Sequence, residues 1–156
     1  MPQIKIITGP INSGKSTRLF EIANSLKARG EKIYGIIAEG IFENDKKIGF
    51  DIIDLDTGHR KKLARTNEKL VGFQLGKFHF SEKAFEFAKR AIEKGIDEKH
   101  LFIDEIGPME LDRKGYFDIF SKSLFSYTEN IYVVVRENIM DEFLRLFEID
   151  DFLILE

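Results

Sequence analysis

Cysteine is absent from this chain of 156 residues, as are long apolar runs and any excess of positive charge. Without cysteine there is neither a disulfide framework nor thiol chemistry. No apolar run approaches the ~20 residues that a membrane-spanning helix needs. The start of the chain lacks the basic, apolar pattern of a signal peptide, so we expect a cytoplasmic protein without a membrane partner. A formal net charge of −3 gives no general attraction to nucleic acid, and a nucleic-acid partner is not expected.

The composition that remains is typical of a globular protein. Hydrophobic residues make up 43% of the chain and charged residues 33%. The length and the lack of any linker or repeat predict one domain over residues 1–156. High charge, no cysteine and only three methionines favour a thermophilic source.

The most informative run is Gly9 to Ser16, which fits the GxxxxGK[ST] pattern of a P-loop, or Walker A motif. Glycines let the backbone turn its N–H groups toward phosphate oxygens. Lys15 adds a positive charge, and the hydroxyl of Ser16 suits Mg²⁺. A predicted strand, Ile4–Thr8, leads into the loop, and a helical stripe of apolar residues follows it, which is the setting that a P-loop requires. The predicted nucleotide-binding residues here are Gly9, Pro10, Ile11, Asn12, Ser13, Gly14, Lys15, Ser16 and Thr17.

A second motif consists of the apolar residues Leu101–Ile103 followed by two acids, which is the Walker B pattern. We predict that Asp104 holds Mg²⁺ together with Ser16, either directly or through water. The adjacent Glu105 is placed to orient a water molecule for in-line attack on the γ-phosphate. The predicted nucleotide-binding run is Leu101, Phe102, Ile103, Asp104, Glu105, Ile106 and Gly107.

The run Asp104–Gly107 also fits DxxG, a switch element of GTPases. Those proteins usually carry an Asn-Lys-x-Asp signature as well, and this sequence contains none. The room for an added strand between Ile33 and Phe80, and the position of Glu105 directly after the metal-binding acid, favour the ATPase-like branch of P-loop proteins.

The order of the predicted elements indicates an α/β fold with a mostly parallel sheet and helices on both faces. Strands are predicted at Lys32–Ala38 and Asn130–Val135, with an edge strand at Phe152–Leu155. Residues 40–80 contain short alternating pieces broken by glycines, among them a strand at Phe50–Leu55. This stretch is too short for a core of its own, so we predict a β-hairpin insertion.

Four runs occur in an order that resembles the thermophilic nucleoside-triphosphatase family of P-loop proteins, which includes the human cancer-related nucleoside-triphosphatase. They are Gly9–Thr17, Ile48–Leu55, Leu63–Arg65 and Ile103–Leu111. The resemblance implies slow, Mg²⁺-dependent hydrolysis of ATP, GTP and other nucleoside triphosphates to the diphosphate and phosphate. It also implies a compact, three-layer, RecA-like fold with a β-hairpin insertion.

Three further charged residues are candidates for the site. Arginine suits phosphate because its fork is planar and always charged. Arg65, which lies in a family run, joins Lys15 and Glu105 in the predicted catalytic set, and Arg136 is predicted to bind nucleotide. Glu110 either supports Asp104 or caps its loop.

Two alternatives to hydrolysis remain open. The chain is a nucleotide or small-molecule kinase if the 40–80 segment is a lid or an acceptor site. It is a nucleotide-sensing switch if hydrolysis serves as a timer for a change of partner. The sequence does not determine the oligomeric state.

Overall fold

The structure is a computed structural model that describes residues 1–10 and 13–156. These residues form one nine-stranded sheet with helices packed against it. The strands are β1 (Gln3–Gly9), β2 (Tyr34–Glu43), β3 (Lys46–Asp54), β4 (Arg60–Arg65), β5 (Gly72–Leu75), β6 (Phe78–Ser81), β7 (His100–Ile106), β8 (Asn130–Arg136) and β9 (Phe152–Ile154). The helices are α1 (Lys15–Ala28), α2 (Glu82–Lys94), α3 (Pro108–Leu111), α4 (Phe117–Leu124) and α5 (Met140–Leu146), with a 3₁₀ turn at Glu137–Ile139.

The sheet is mixed, with strand order β5-β6-β4-β3-β2-β7-β8-β1-β9. The pairs from β2 to β9 are parallel, and the pairs from β5 to β2 are antiparallel. The prediction of a mostly parallel sheet is therefore wrong. The antiparallel pairs from β2 to β6 follow from short connections. A parallel pair needs a crossover, and the turns between these strands are too short for one. Between β2 and β3 the turn is Asn44–Asp45, whose φ angles of 53° and 62° are those that a two-residue hairpin demands.

The insertion predicted at 40–80 is larger than one hairpin. β2 does not end at Ala38 but runs on to Glu43, where it pairs with β3. A second hairpin, β5–β6, adds to β4. The insertion therefore continues the edge of the main sheet and stands beside the carboxyl ends of its parallel strands.

Two hydrophobic cores lie on opposite faces of the sheet, because successive residues of a strand point to opposite sides. On β8, Val133 packs with α2, α4 and α5, whereas Val134 packs with α1. The result is three layers: helix, sheet and helices. The predicted edge strand is confirmed as β9, which pairs with β1 alone in the described sheet. In the described part of the chain, no helix combines the length and apolar character needed to cross a membrane.

Candidate functional site

The carboxyl ends of three neighbouring parallel strands bring the predicted residues together. Gly9, at the end of β1, pairs with Arg136 at the end of β8, and Val135 pairs with Ile106 at the end of β7. The P-loop, Arg136 and the two acids of β7 consequently share one edge of the sheet, which is where open α/β sheets bind ligands.

A cavity of about 570 Å³ opens at this edge, within the range typical of small-molecule sites. Its walls come from the P-loop, the end of β7 with the loop after it, and the insertion. The lining residues are Ser13, Gly14, Lys15, Ser16, Thr17, Ala38, Gly40, Phe42, Lys47, Phe50, Leu63, Leu75, Phe78, Phe80, Phe85, Asp104, Glu105, Gly107, Pro108, Met109, Glu110, Tyr116 and Arg136.

In the described part of the P-loop, the two glycines occupy positions that favour glycine. Gly14 has φ 82°, a left-handed value that side chains rarely adopt. A Cβ on Gly9 would lie 2.8 Å from the Oγ of Ser13, so the loop has no room for a side chain there. Lys15 is only 9% exposed, and its Nζ donates to the carbonyl of Pro10. Two predicted phosphate-binding residues, Ile11 and Asn12, lie outside the described residues.

Helix α1 begins directly at the loop, at Lys15. Its first turn carries no acidic residue, so no side chain there offsets the positive end of the helix dipole. Ser13 to Thr17 line the cavity at this end. This arrangement suits an anion such as a phosphate group.

Asp104 lies at the end of β7 and is 2% exposed. Its Oδ2 accepts a hydrogen bond from the backbone N–H of Ala38 at 3.0 Å, and Ser16 hydrogen-bonds to the same carboxylate. Burial raises the pKa of Asp104 to about 7, although both hydrogen bonds act in the opposite direction. A buried carboxylate of this kind is stabilised in its charged form by a cation.

Glu105 faces the cavity and is paired with Arg136. The Nε of Arg136 donates to the Oε1 of Glu105 at 3.2 Å, and the side chains are 34% and 30% exposed, respectively. The predicted nucleotide-binding arginine therefore lies against the predicted catalytic glutamate.

The apolar residues of the Walker B run do not reach the cavity. Leu101, Phe102, Ile103 and Ile106 are fully buried in the two cores, while Gly107 lines the cavity. These four residues were predicted to bind nucleotide. Because they are buried, they instead anchor β7, whose end presents Asp104 and Glu105.

Arg65 was predicted to belong to the catalytic set, but the structure places it away from the cavity. It is 7% exposed and does not line the cavity in the part of the chain that the structure describes. Its Nη2 donates to the Oδ1 of Asp51 at 2.6 Å, and its Nη1 donates to the carbonyls of Phe50 and Ala64. These bonds occupy the guanidinium inside the insertion, because the register of β3 and β4 brings the four groups together.

Glu110 caps the loop after β7, which decides between the two roles left open by the sequence. It is 3% exposed; Oε1 accepts from the N–H of Gly107 at 2.8 Å and Oε2 from the N–H of Tyr116 at 2.9 Å. Burial raises the pKa of Glu110 to about 7 against the effect of these bonds. The carboxyl group thereby holds the loop that forms one wall of the cavity.

The insertion contributes side chains that sequence reasoning missed. Lys47, Phe42, Phe50 and Phe78 line the same cavity as the described P-loop residues. A single lysine within a strand carries no motif, so the only available signal was its place just before the family run Ile48–Leu55.

The oxygens of Ser16 and Asp104 fit the Mg²⁺ ion that the resemblance implies. A hydroxyl and a carboxylate are ligands that Mg²⁺ prefers, and in nucleotide sites the ion takes its other ligands from phosphates and water. In residues 1–10 and 13–156, no group of three or more His, Cys, Asp and Glu side chains is arranged to hold a metal ion. The residues that would hold the ion are Ser16 and Asp104.

Comparison with known proteins identifies the family. The sequence model of a family described as NTPase matches residues 5–154. The chain belongs to this NTPase family. The resemblance inferred from the sequence is thus confirmed.

Named relatives agree with this NTPase assignment, and a solved structure agrees with the fold. A protein of Methanopyrus kandleri, named nucleoside-triphosphatase THEP1, is 33% identical over 135 residues, which are 86% of this chain and 74% of the relative. A protein of the same name from Thermococcus kodakarensis is 33% identical over 147 residues, or 92% and 81% of the two chains. The solution structure of a human cancer-related nucleoside triphosphatase superposes with a TM-score of 0.73 over 100% of this chain and 89% of that one. At 22% identity it shows the α/β fold alone.

Proposed function

We propose that this NTPase hydrolyses nucleoside triphosphates to the diphosphate and phosphate with Mg²⁺, using the cavity described above. The observation that carries the proposal is the meeting of the P-loop and the acids of β7 at one edge of the sheet. A P-loop by itself supports binding, whereas a P-loop facing Asp104 and Glu105 supports cleavage of the bound γ-phosphate.

The P-loop residues bind the phosphates. Backbone N–H groups of Ser13 to Ser16 and the ammonium of Lys15 neutralise charge on the β- and γ-phosphates, at the positive end of α1. Ser16 and Asp104 hold the Mg²⁺ ion, which supplies positive charge to the phosphate oxygens when bound. All of these contacts go to parts common to every nucleoside triphosphate. We therefore propose that ATP, GTP and other triphosphates are all substrates.

Glu105 polarises the attacking water in this proposal. Its carboxylate faces the cavity, and a water held by it is directed at the γ-phosphate in line with the leaving oxygen. Arg136 orients Glu105 through the bond from its Nε, and its other nitrogens are candidates to contact the phosphates.

Other parts of the sequence-based prediction belong to this proposal. The RecA-like variant of the three-layer fold, and the reading of residues 40–80 as an insertion into one domain, are included in it. A cytoplasmic location, the absence of a nucleic-acid partner and a thermophilic source stay predictions from the sequence.

A kinase is the second candidate, and one observation favours it. The lining of the cavity also includes four phenylalanines, Phe50, Phe78, Phe80 and Phe85, which give it apolar surface suited to an organic phosphate acceptor. The two functions differ in one measurement. A hydrolase releases inorganic phosphate from the triphosphate alone, whereas a kinase consumes the triphosphate only when an acceptor is present and transfers the phosphoryl group to that acceptor.

The decisive experiment measures phosphate release from purine and pyrimidine triphosphates, with and without Mg²⁺. We expect Mg²⁺-dependent release from all of them by the wild type. Glu105→Gln should bind nucleotide normally but lose turnover by roughly 100-fold or more, and Lys15→Ala should lose both binding and turnover. Glu86→Gln, on an exposed face of α2, is the matched control. Wild-type turnover by Glu105→Gln would overturn the assignment.

A further inference from the structure

Lys47 is a cation of the insertion that faces the phosphate-binding loop. It lies near the start of β3, across from Phe42 of β2 in the strand register. Its side chain lines the same cavity as Lys15 and Glu105, although it belongs to neither Walker motif. The insertion thus places a second lysine at the site of the triphosphate.

Two aromatic rings hold this lysine in position. Its Nζ lies 4.6 Å from the ring centroid of Phe50 and 5.7 Å from that of Phe42, within the range of cation–π attraction. Gly40 leaves room for the stem of the lysine, because a Cβ there would come within 3.2 Å of its Cε and 3.1 Å of the Phe42 ring. Three residues of two strands therefore restrict where the ammonium group lies.

The charges around Lys47 favour an anion in the cavity. Burial lowers the pKa of Lys47, and the positive charges of Arg136 and Lys15 lower it as well. The carboxylates of Glu105 and Asp104 act in the opposite direction. A bound triphosphate would stabilise all three cations at once, since it brings several negative charges between them.

Phosphoryl transfer needs positive charge around the transferred group. Many P-loop enzymes use an arginine for this, supplied by the same chain or by a partner. Arg65 does not line this cavity, whereas Arg136 and Lys47 do. Among the described residues lining the cavity, Lys47 is the cation that comes from the insertion.

We propose that Lys47 contacts the γ-phosphate of the bound nucleotide and stabilises its negative charge during hydrolysis. This inference rests on the proposed function. It makes the insertion part of the catalytic site, and Phe42, Phe50 and Gly40 the residues that position its lysine.

Three variants test the contact. Lys47→Met keeps most of the apolar stem and removes the charge, and Lys47→Arg keeps the charge. Lys46→Met is the matched control, because Lys46 is the exposed neighbour on the same strand, points to the other face and does not line the cavity. For each variant we would measure kcat, KM, the melting temperature, and the Kd of a non-hydrolysable triphosphate and of the diphosphate, all with Mg²⁺.

We expect Lys47→Met to lose kcat by roughly 100-fold, because it removes charge stabilisation from the transition state. Its Kd should rise about tenfold for the triphosphate analogue and stay unchanged for the diphosphate, which lacks the contacted group. Lys47→Arg should recover part of kcat, and Lys46→Met should match the wild type. If the role of Lys47 were purely structural, Lys47→Met would weaken triphosphate and diphosphate binding alike.

Two results would overturn the inference: wild-type kcat in Lys47→Met, or an equal loss of affinity for the triphosphate analogue and the diphosphate. If Lys47→Met does not fold, Lys47→Gln is measured by the same criteria. Failure of the proposed function looks different, since the wild type would then release no phosphate or Glu105→Gln would keep its turnover. An active wild type, an inactive Glu105→Gln and an unaffected Lys47→Met would reject the role of Lys47 alone.

Discussion

The Nε of Arg136 donates to the Oε1 of Glu105 over 3.2 Å, and this bond joins the ends of two neighbouring strands. The residues are 31 positions apart in the chain and meet because β7 and β8 are parallel neighbours. The pair lies inside the cavity, facing the P-loop. The orientation of the proposed catalytic glutamate therefore depends on the register of the sheet.

Arg136→Met tests whether this arginine acts through Glu105. We expect turnover to fall by roughly tenfold to 100-fold, because the carboxylate loses the group that orients it. Adding Arg136→Met to Glu105→Gln should then cause little further loss, as expected for residues that act as a unit. An equal loss in both backgrounds would mean that Arg136 contacts the nucleotide independently. Steady-state kinetics of the four proteins gives the answer.

Arg65→Met should damage stability and leave the chemistry intact. The variant loses the 2.6 Å ion pair with Asp51 and the donor to two carbonyls, and it leaves Asp51 with the more distant Arg60 at 3.8 Å. We expect a cost of about 3 kcal/mol of unfolding free energy. Urea unfolding measures this loss, and kcat per folded molecule should match the wild type. The control is Lys62→Met; Lys62 lies on the same strand, is 54% exposed and pairs with Glu68, so its loss should stay below about 1 kcal/mol. A large fall in kcat without a loss of stability would return Arg65 to the catalytic set.

Gly115→Ala should destabilise the loop that forms one wall of the cavity. Gly115 has φ +60°, and a Cβ there would lie 2.0 Å from the Oε2 of Glu110, which is buried and already bonded. Gly76→Ala is the control, since Gly76 has φ +56° with nothing within 4 Å of the added atom. Both variants carry the left-handed backbone cost of about 1–2 kcal/mol. Gly115→Ala should lose at least a further ~2 kcal/mol by urea unfolding; equal losses would contradict the clash.

Glu110 should make stability depend on pH. Its pKa in the folded protein is about 7, above the ordinary value of 4.5, so between these values the folded state binds more protons than the unfolded state. Stability therefore falls as pH rises through this window, by roughly 3 kcal/mol, since one pKa unit corresponds to about 1.4 kcal/mol.

The variant Glu110→Gln isolates this effect, because its side chain does not titrate. The unfolding free energy of the wild type minus that of the variant should decline as pH rises from 4.5 to about 7 and then level off. Urea unfolding between about pH 4 and pH 8 measures it. A constant difference over this range would show that Glu110 titrates alike in both states.

Much of the parallel half of the fold was predictable because its signals are local. The strand before the P-loop, the stripe on α1 and the β-branched run of β8 all follow from short-range periodicity. The antiparallel half was harder, because residues 40–80 show turns without showing how many strands share one sheet. The paired φ values of Asn44 and Asp45 follow from turn chemistry that the sequence does contain.

The residues of the candidate site likewise divide into those with a local sequence signal and those without one. Lys15, Ser16, Asp104 and Glu105 were predicted from adjacent residues of the P-loop and Walker B patterns, and the structure places all four in the lining of one cavity. The position of Arg65 beside Asp51, away from the cavity, and that of Lys47 in the cavity lining were not predictable, since each depends on a partner strand. The sequence around an arginine in a family motif does not reveal whether its side chain contacts a phosphate or an aspartate.

The sequence by itself therefore determined the family of the chain and, from it, the chemistry we propose: phosphate binding by glycines and a lysine, completed by an acid pair. Only the tertiary structure decided which charges face the cavity. Strand register brings together groups that lie far apart in the chain, as it does for Arg65 with Asp51 and for Arg136 with Glu105. No local pattern encodes such pairings, because the free energy that selects them comes from burial and packing across the whole sheet.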